Sequence, residues 1–520
     1  MPSLAPLLKN FSDVRTPVEC IKKGSVPSWL QGTILRNGPG IFKVGDSEVK
    51  HLFDGLAFVE RYYFKDGKMM YSGRALDTNS KKKCMAANRM ITSEFGTAAT
   101  PDPCKTIFHR FFSYFTPDEI SDNTLVAFTE VGDSIYALTE RPAMVKVNPR
   151  TLDVEKSFDA SKDLFSVHTC TAHHHTDNQG NAYNIGTQYG RVSKYIFTKI
   201  NDPRHGDIPE DSPFKVDLEA KVDTSTPAYV HSFGMSENHF VLLESPLRMR
   251  VMKLAFMKYL NASFNDCMQW HEGEKTNVII VNRKNGKKLP YKVTLDSCFT
   301  FHHANSFEKD GYLVVDICST KNATKLGQMM LDKLRHVTGA SPIELVMKFN
   351  RFIVPLEGVE KAPVGTDLLK KCPFAMDCKA VKTADGVHLT MTQLANHCFE
   401  FPKYNYEKHN ARPYRYCYGT CDYEDRAHLT AVAKVDTNQR KSTCWNKDHS
   451  DQVVSEPIFI ADPEGTEEDD GVVVVPVMTT REGDHPVVVV LDAHDMSEMC
   501  RYTIPVDRIH MAFHMHYTQL

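Results

Sequence analysis

Residues 171–186 read TAHHHTDNQGNAYNIG, and this stretch sets how the rest of the chain is read. Three consecutive histidines enter a polar turn, Asp177-Asn178-Gln179-Gly180, and a second strand-like run, 181–185, leaves it. Gly180 supplies the positive φ that a tight turn needs. Alternate side chains of a strand share a face, so His173 and His175 are expected to point one way and His174 the other. A histidine fixed on a strand is a well-oriented metal ligand or proton shuttle.

The same grammar recurs outward from this hairpin. Residues 59–64 and 68–72 flank Lys65-Asp66-Gly67, and residues 125–130 and 135–140 flank Gly132-Asp133. Further turns fall at 236–238, Asn285-Gly286, 309–311, Asp385-Gly386, 436–438 and 482–484, with β-rich runs such as 312–317 and 471–477 beside them. No linker rich in Gly, Ser or Pro divides the chain. The expectation is one all-β domain over residues 1–520. A radial propeller solves the edge problem for this many short strands, with a double sandwich as the alternative. No fixed-period repeat is visible, so the blades must be irregular. Three insertions interrupt the pattern. One lies near 97–120 and contains the aromatic, basic KTIFHRFFSYF. One lies near 246–262 and contains RMRVMKLAFMKYL at helical spacing. One lies near 325–355, with helical apolar spacing broken at Gly339.

The 520 residues are 42% hydrophobic and carry a formal charge of -3, enough apolar material for a sizeable core and no basic block for nucleic acid. No run of 18 apolar residues exists to span a membrane. The N-terminal MPSLAPLLKNFSDV resembles neither a signal nor a transit peptide, so the expected location is the cytoplasm. Fourteen cysteines then read as reduced thiols. The pairs Cys372/Cys378 and Cys417/Cys421 lack the paired CxxC spacing of a zinc site.

Among 23 histidines, four sites stand in or beside strand-like runs: Ala172-His173, VHSFG around His231, FHHAN around His302, and Phe513-His514. Ligands this far apart suit a propeller, whose inner strands meet at the axis. Four neutral imidazoles would leave a divalent metal its full charge and open positions, but imidazole suits Fe, Cu, Zn and Ni alike. Such ligands need an acceptor behind the ring. Glu140 in IYALTE, Glu400 in CFEFP and Glu456 in VVSEPIFI are the carboxylates set in otherwise apolar runs.

Taken together these stretches closely resemble the carotenoid cleavage oxygenase family, animal branch, from about residue 15 to the end. The signposts are LRNGPG at 35–40, HLFDG at 51–55, EFGT at 94–97, PDPCK at 101–105, VHSFG, FHHAN, FEFP, and SEPIF followed by EEDDG at 467–471. The resemblance implies a seven-bladed β-propeller with a helical and loop cap over the active site. It implies Fe(2+) held by His173, His231, His302 and His514. The motif around His514 departs from the family, with Met515 where glycine is usual and His510 and His516 close by. Glu140, Glu400 and Glu456 are implied to orient His231, His302 and His514, leaving His173 without a carboxylate. Phe95, Val126 and Thr139 are implied to lie near a substrate tunnel, although plain core packing accounts for them on sequence grounds.

The implied activity is dioxygenase cleavage of a conjugated C=C bond of a carotenoid or apocarotenoid by O2, giving two carbonyl products. Retinyl-ester isomerohydrolase activity on the same iron is the rival within the family. The isomerohydrolase carries a tryptophan where this chain, aligned by residues 312–317, has Thr320, which favours the dioxygenase. A non-catalytic carotenoid-binding protein and a protein-interaction platform are the rivals outside it. Carotenoids reside in lipid, so peripheral membrane docking is expected. The stretch from Cys104 to Phe115, with Lys105, Arg110 and a modifiable Cys104, is the expected surface.

Overall fold

The computed structural model describes residues 3–100, 120–206, 212–337, 346–422 and 430–520. Its sheets follow from the turns. Asp66 and Gly67, at φ 51° and 71°, close the two-residue loop between strands Leu56–Lys65 and Lys68–Ala75. Asp310 and Gly311, at φ 50° and 80°, do the same between Phe299–Lys309 and Tyr312–Thr320. Positive φ at both central residues matches the right-handed twist of the flanking strands, which is why Asp-Gly marks these hairpins.

The hairpins assemble into seven radial blades. Blade 1 runs from Val14–Glu19 through Lys68–Ala75, Leu56–Lys65 and Gly32–Ile41 to the C-terminal strand His514–Thr518. Blade 2 is Ala127–Val131, Ser134–Leu138, Ala143–Val147 and Val154–Asp159. In blade 3 the short strands Thr169–Cys170 and His175–Thr176 both pair with Ala182–Gln188, followed by Ser193–Ile200 and Val216–Thr224. Blade 4 begins with Gly234–Met235, His239–Glu244 and Thr276–Asn282.

Blades 5 and 6 share one continuous sheet. Strand Thr392–Lys403 pairs through Thr392 and Gln393 with Lys348–Pro355 of blade 5, then from Cys398 onward with Tyr416–Asp422 of blade 6. Blade 7 runs from Gln452–Val454 and Ile458–Ala461 through Gly471–Thr479, Val487–Asp492 and Glu498–Thr503 to the N-terminal strand Ile21–Gly24. Both ends of the chain therefore knit blades 1 and 7. Val472–Val475 and Val487–Val490 are unbroken valine runs because a blade is covered on both faces by its neighbours, and all eight are buried. Each contributes on the order of 1.5–3 kcal/mol of burial.

Two helical expectations are corrected. In residues 248–260 only Val251–Ala255 is helical. Leu247–Met249 is drawn into a strand by Met268–Trp270, and this pairing overrides the helical spacing. Among the described residues of the third insertion the helical parts are a 3-10 helix at Thr324–Met329 and an α-helix at Leu331–Arg335, and Lys348–Pro355 is a strand pairing in register with Tyr312–Thr320. Its KFNRFIVP sequence carries the bulky β-branched and aromatic residues that suit a sheet. Residues 101–119, including the apolar and basic stretch 104–115, lie outside the described residues. Among the described residues no helix is long and apolar enough to cross a membrane.

Candidate metal centre

The four candidate histidines come from blades 1, 3, 4 and 5, each on or beside the strand at one edge of its sheet. The expected continuous strand through His173, His174 and His175 does not form. Thr171 still donates its amide to the Ile185 carbonyl at 3.0 Å, and residues 172–174 then leave the ladder before His175–Thr176, where the Thr171 hydroxyl holds the bend. The Thr171 hydroxyl accepts from the His173 amide at 3.3 Å and donates to Asn184 Oδ1 at 2.6 Å. This break presents His173 to the axis, while His175 packs against Phe233 and sets its Nε2 2.9 Å from the Phe233 carbonyl. Gly180 has φ +80°, as the turn requires, and a Cβ there would fall 2.1 Å from Asp202 Oδ2.

His231 lies three residues before strand Gly234–Met235. His302 lies in Phe299–Lys309 where the register slips on either side of His303, and such bulges re-aim a side chain. His514 opens the C-terminal strand. The candidate ligand nitrogens of His173, His231, His302 and His514 all lie within 4.8 Å of one another. His173 Nε2 and His231 Nε2 are 3.0 Å apart. Two nitrogens at right angles on one ion, each at ~2.1 Å, would be separated by about that distance. His302 Nε2 is buried with no hydrogen-bond partner. A buried polar atom without a partner is costly, so the donor set fits a cation at its centre.

The far side of three rings is fixed by carboxylates. His231 Nδ1 lies 2.6 Å from Glu140 Oε1, His302 Nδ1 2.5 Å from Glu400 Oε2, and His514 Nδ1 2.8 Å from Glu456 Oε1. With Nδ1–H donating, each Nε2 lone pair is aimed inward. No carboxylate bonds the His173 ring among the described residues. Burial and the three neighbouring imidazoles hold His173 well below the ordinary histidine range, and burial pushes His514 down to about 4. Both rings are thus neutral, as ligands must be. The alternatives near the C-terminus are engaged elsewhere. His510 is fully buried with Nδ1 2.9 Å from Glu60, and His516 Nε2 is 2.9 Å from Glu130.

Several residues of the centre were not anticipated. Tyr229 donates to Glu140 Oε1 at 2.6 Å, so one oxygen serves both it and His231. Its place two residues before His231 was the available signal. Lys403 Nζ sits 3.2 Å from Glu456 Oε1. Burial works against the Glu456 anion, but Lys403 and His514 together hold its carboxyl below the usual range. Phe401 adopts φ 54°, a left-handed conformation that strains a bulky residue. Its amide donates to Glu400 Oε2 at 2.7 Å, and its ring lies 5.4 Å from that of His302. No sequence pattern announces that geometry.

The centre opens onto a largely apolar cavity. Its walls include Phe53, Leu125, Phe264, Phe301 and Phe513, with Met329, Leu334 and Met347 contributed by the third insertion. Phe95, Val126 and Thr139 also line it, so the family resemblance located them better than the core-packing reading did.

A sequence profile of the family described as retinal pigment epithelial membrane protein matches residues 7–519. The chain belongs to the carotenoid cleavage oxygenase family. Relatives of this family include a human beta,beta-carotene 15,15'-dioxygenase, 33% identical over 97% of this chain and 93% of its own length. A carotenoid isomerooxygenase of Galleria mellonella is 32% identical over 94% of this chain and 91% of its own length. The fold is that of a cobalt-substituted Synechocystis apocarotenoid oxygenase, with a TM-score of 0.77 at 21% identity over 99% of this chain and 98% of that one.

Proposed function

We propose that this carotenoid cleavage oxygenase is an iron(II)-dependent dioxygenase that splits one conjugated C=C bond of a carotenoid or apocarotenoid with O2 into two carbonyl products. The observation that carries the reading is the convergence of four imidazoles, three backed by glutamates, at the wall of an apolar cavity. His173, His231, His302 and His514 would hold the iron, and Glu140, Glu400 and Glu456 would orient three of them. Bound there, iron(II) would supply the redox chemistry that the reaction with dioxygen needs.

The protein's own part is to position and to exclude water. The aromatic walls around Phe53, Phe301 and Phe513 accept a flat polyene and fix which double bond stands beside the histidines. Met329 and Leu334 cover the cavity from the third insertion. The names of the human and Galleria relatives support a carotenoid as substrate.

Access from a membrane belongs to the same reading. Residues 104–115, whose sequence suits docking, lie outside the described residues. Among the described residues Met252, Phe256, Tyr259 and Leu260 form an exposed apolar group beside Arg250, Lys253 and Lys258. This run leads directly into Phe264 of the cavity wall. Apolar side chains flanked by cations suit reversible docking on an anionic bilayer.

The test is to load the protein with iron(II), incubate it aerobically with β-carotene, a hydroxylated carotenoid, an apocarotenal and a retinyl ester, and identify products by chromatography and mass. Aldehyde products incorporating labelled oxygen are expected from at least one polyene. Retinol from the ester, with no aldehyde from any polyene, would overturn the reading.

A further inference from the structure

Arg141 follows Glu140 directly and is among the residues that line the cavity, with its guanidinium near the lining residue Phe264. Its guanidinium has five N–H donors in a fixed fork. Among the described residues no hydrogen bond or ion pair engages that fork, and its aromatic contact is the Phe264 ring, 5.9 Å away. Two of the most deeply buried arginines elsewhere in this protein, Arg36 and Arg351, meet carboxylates. Arg36 donates to Glu60 and Ser455, and Arg351 makes a paired contact with Asp316 at 2.7 Å through both nitrogens. Arg141 is half-buried, and its unengaged fork beside the cavity wall is a set of donors that a ligand oxygen can take up.

Two further polar groups share that part of the wall. Thr169 lines the cavity with its hydroxyl 3.1 Å from the Tyr189 hydroxyl. Glu94 lines it as well, with Oε1 accepting from Ser121 Oγ at 3.0 Å. Burial and the nearby Asp54 push the Glu94 carboxyl up to about 7, with Arg141 acting in the opposite direction. Near neutrality Glu94 therefore offers both an acceptor and a donor. A hydrocarbon end group leaves the Arg141 fork unengaged, whereas a hydroxyl or carbonyl oxygen can accept from Arg141 and meet Glu94 or Thr169.

Resting on the function proposed above, we infer that the cavity binds an oxygen-bearing end group of the polyene at Arg141, with Glu94 and Thr169 completing a polar pole. The substrate class is then an oxygenated carotenoid or an apocarotenal rather than a hydrocarbon carotene. Arg141 is the specificity residue that fixes how far the chain enters, and so which bond lies beside the histidines.

The experiment separates binding from turnover. Metal-loaded protein is titrated without oxygen against β-carotene, its 3,3'-dihydroxy analogue and an apocarotenal, following the shift in polyene absorbance. The wild type is expected to bind at least one oxygenated ligand about tenfold or more tightly than the hydrocarbon, the scale of one hydrogen bond to a charged donor. Preference for the dihydroxy ligand identifies a hydroxyl as the recognised group, and preference for the apocarotenal identifies a carbonyl. Arg141→Met should bring the ratio close to one, and Arg141→Lys should retain part of it. Equal wild-type affinities for all three ligands overturn the inference. So does an unchanged ratio in Arg141→Met with wild-type metal content. Should Arg141→Met not fold, the wild-type ratio and Thr169→Val decide in the same way. Oxygen is admitted last. Selective binding without cleavage defeats the dioxygenase reading and leaves this inference standing, while cleavage without selectivity does the reverse.

Discussion

Replacing Glu400 with glutamine tests whether the outer carboxylates act on the metal through the rings. Glu400 Oε2 accepts from His302 Nδ1 at 2.5 Å and from the Phe401 amide at 2.7 Å. A glutamine oxygen can accept both bonds, so the geometry survives and only the charge is lost. Charged hydrogen bonds contribute about 1.5–3 kcal/mol and neutral ones about 0.5–1.5, a difference of roughly 1–1.5 kcal/mol at the His302 bond alone. The weaker acceptor also makes the imidazole a poorer donor to metal. Changes of this kind typically cost 10- to 100-fold in metal affinity, or about 1.4–2.7 kcal/mol. The assay is an anaerobic titration with cobalt(II) or iron(II) against a competing chelator, beside thermal unfolding with and without metal. The variant should bind metal about 10- to 100-fold more weakly, and the thermal stabilisation by metal should shrink by the matching amount. A dissociation constant within about twofold of wild type, in a variant whose metal-free form unfolds normally, would refute the argument that Glu400 tunes His302.

The other predictions concern pH and membrane. Burial holds His51, His174 and His514 at about 4 and His303 at about 3, against 6.5 when unfolded, so each binds its proton more readily in the unfolded chain. Their contribution is present above pH 6.5 and is lost as pH falls through about 4. Burial acts with the opposite sign on Asp54, raised to about 6, and Glu94, raised to about 7. These four histidines, joined by His173, His168, His175 and His510, which are lowered as well, outnumber the raised Asp54 and Glu94, so the metal-free protein is expected to lose stability as pH falls from 6.5 to 4. Urea midpoints that stay level or rise over that window would contradict this. For docking, a variant with Met252, Phe256, Tyr259 and Leu260 all changed to serine should sediment less with anionic liposomes than wild type, each side chain contributing at most ~1.5–3 kcal/mol. A second variant, with Phe108, Phe111 and Phe112 changed to serine, compares the 104–115 stretch directly. Wild-type sedimentation by both variants would place docking elsewhere.

What the sequence by itself determined was whatever depends on a few neighbouring residues. Asp66-Gly67 and Asp310-Gly311 announce their hairpins because only small or permissive residues take positive φ cheaply, and that preference acts locally. The histidine motifs and the glutamates in apolar runs were legible for a similar reason, since polar groups inside strands signal a partner. The tertiary structure decided which partner. Ring closure by the C-terminal strand puts His514, not His510 or His516, beside His173 and His302, whose rings lie 4.6 Å and 5.0 Å from it. Pairing across strands made Lys348–Pro355 and Leu247–Met249 extended where their spacing alone read as helical. The left-handed turn at Phe401, the Lys403–Glu456 contact and the unengaged fork of Arg141 have no local signature at all. They arise from packing between blades far apart in sequence, and the cost of strain or charge at such places is borne by the fold as a whole.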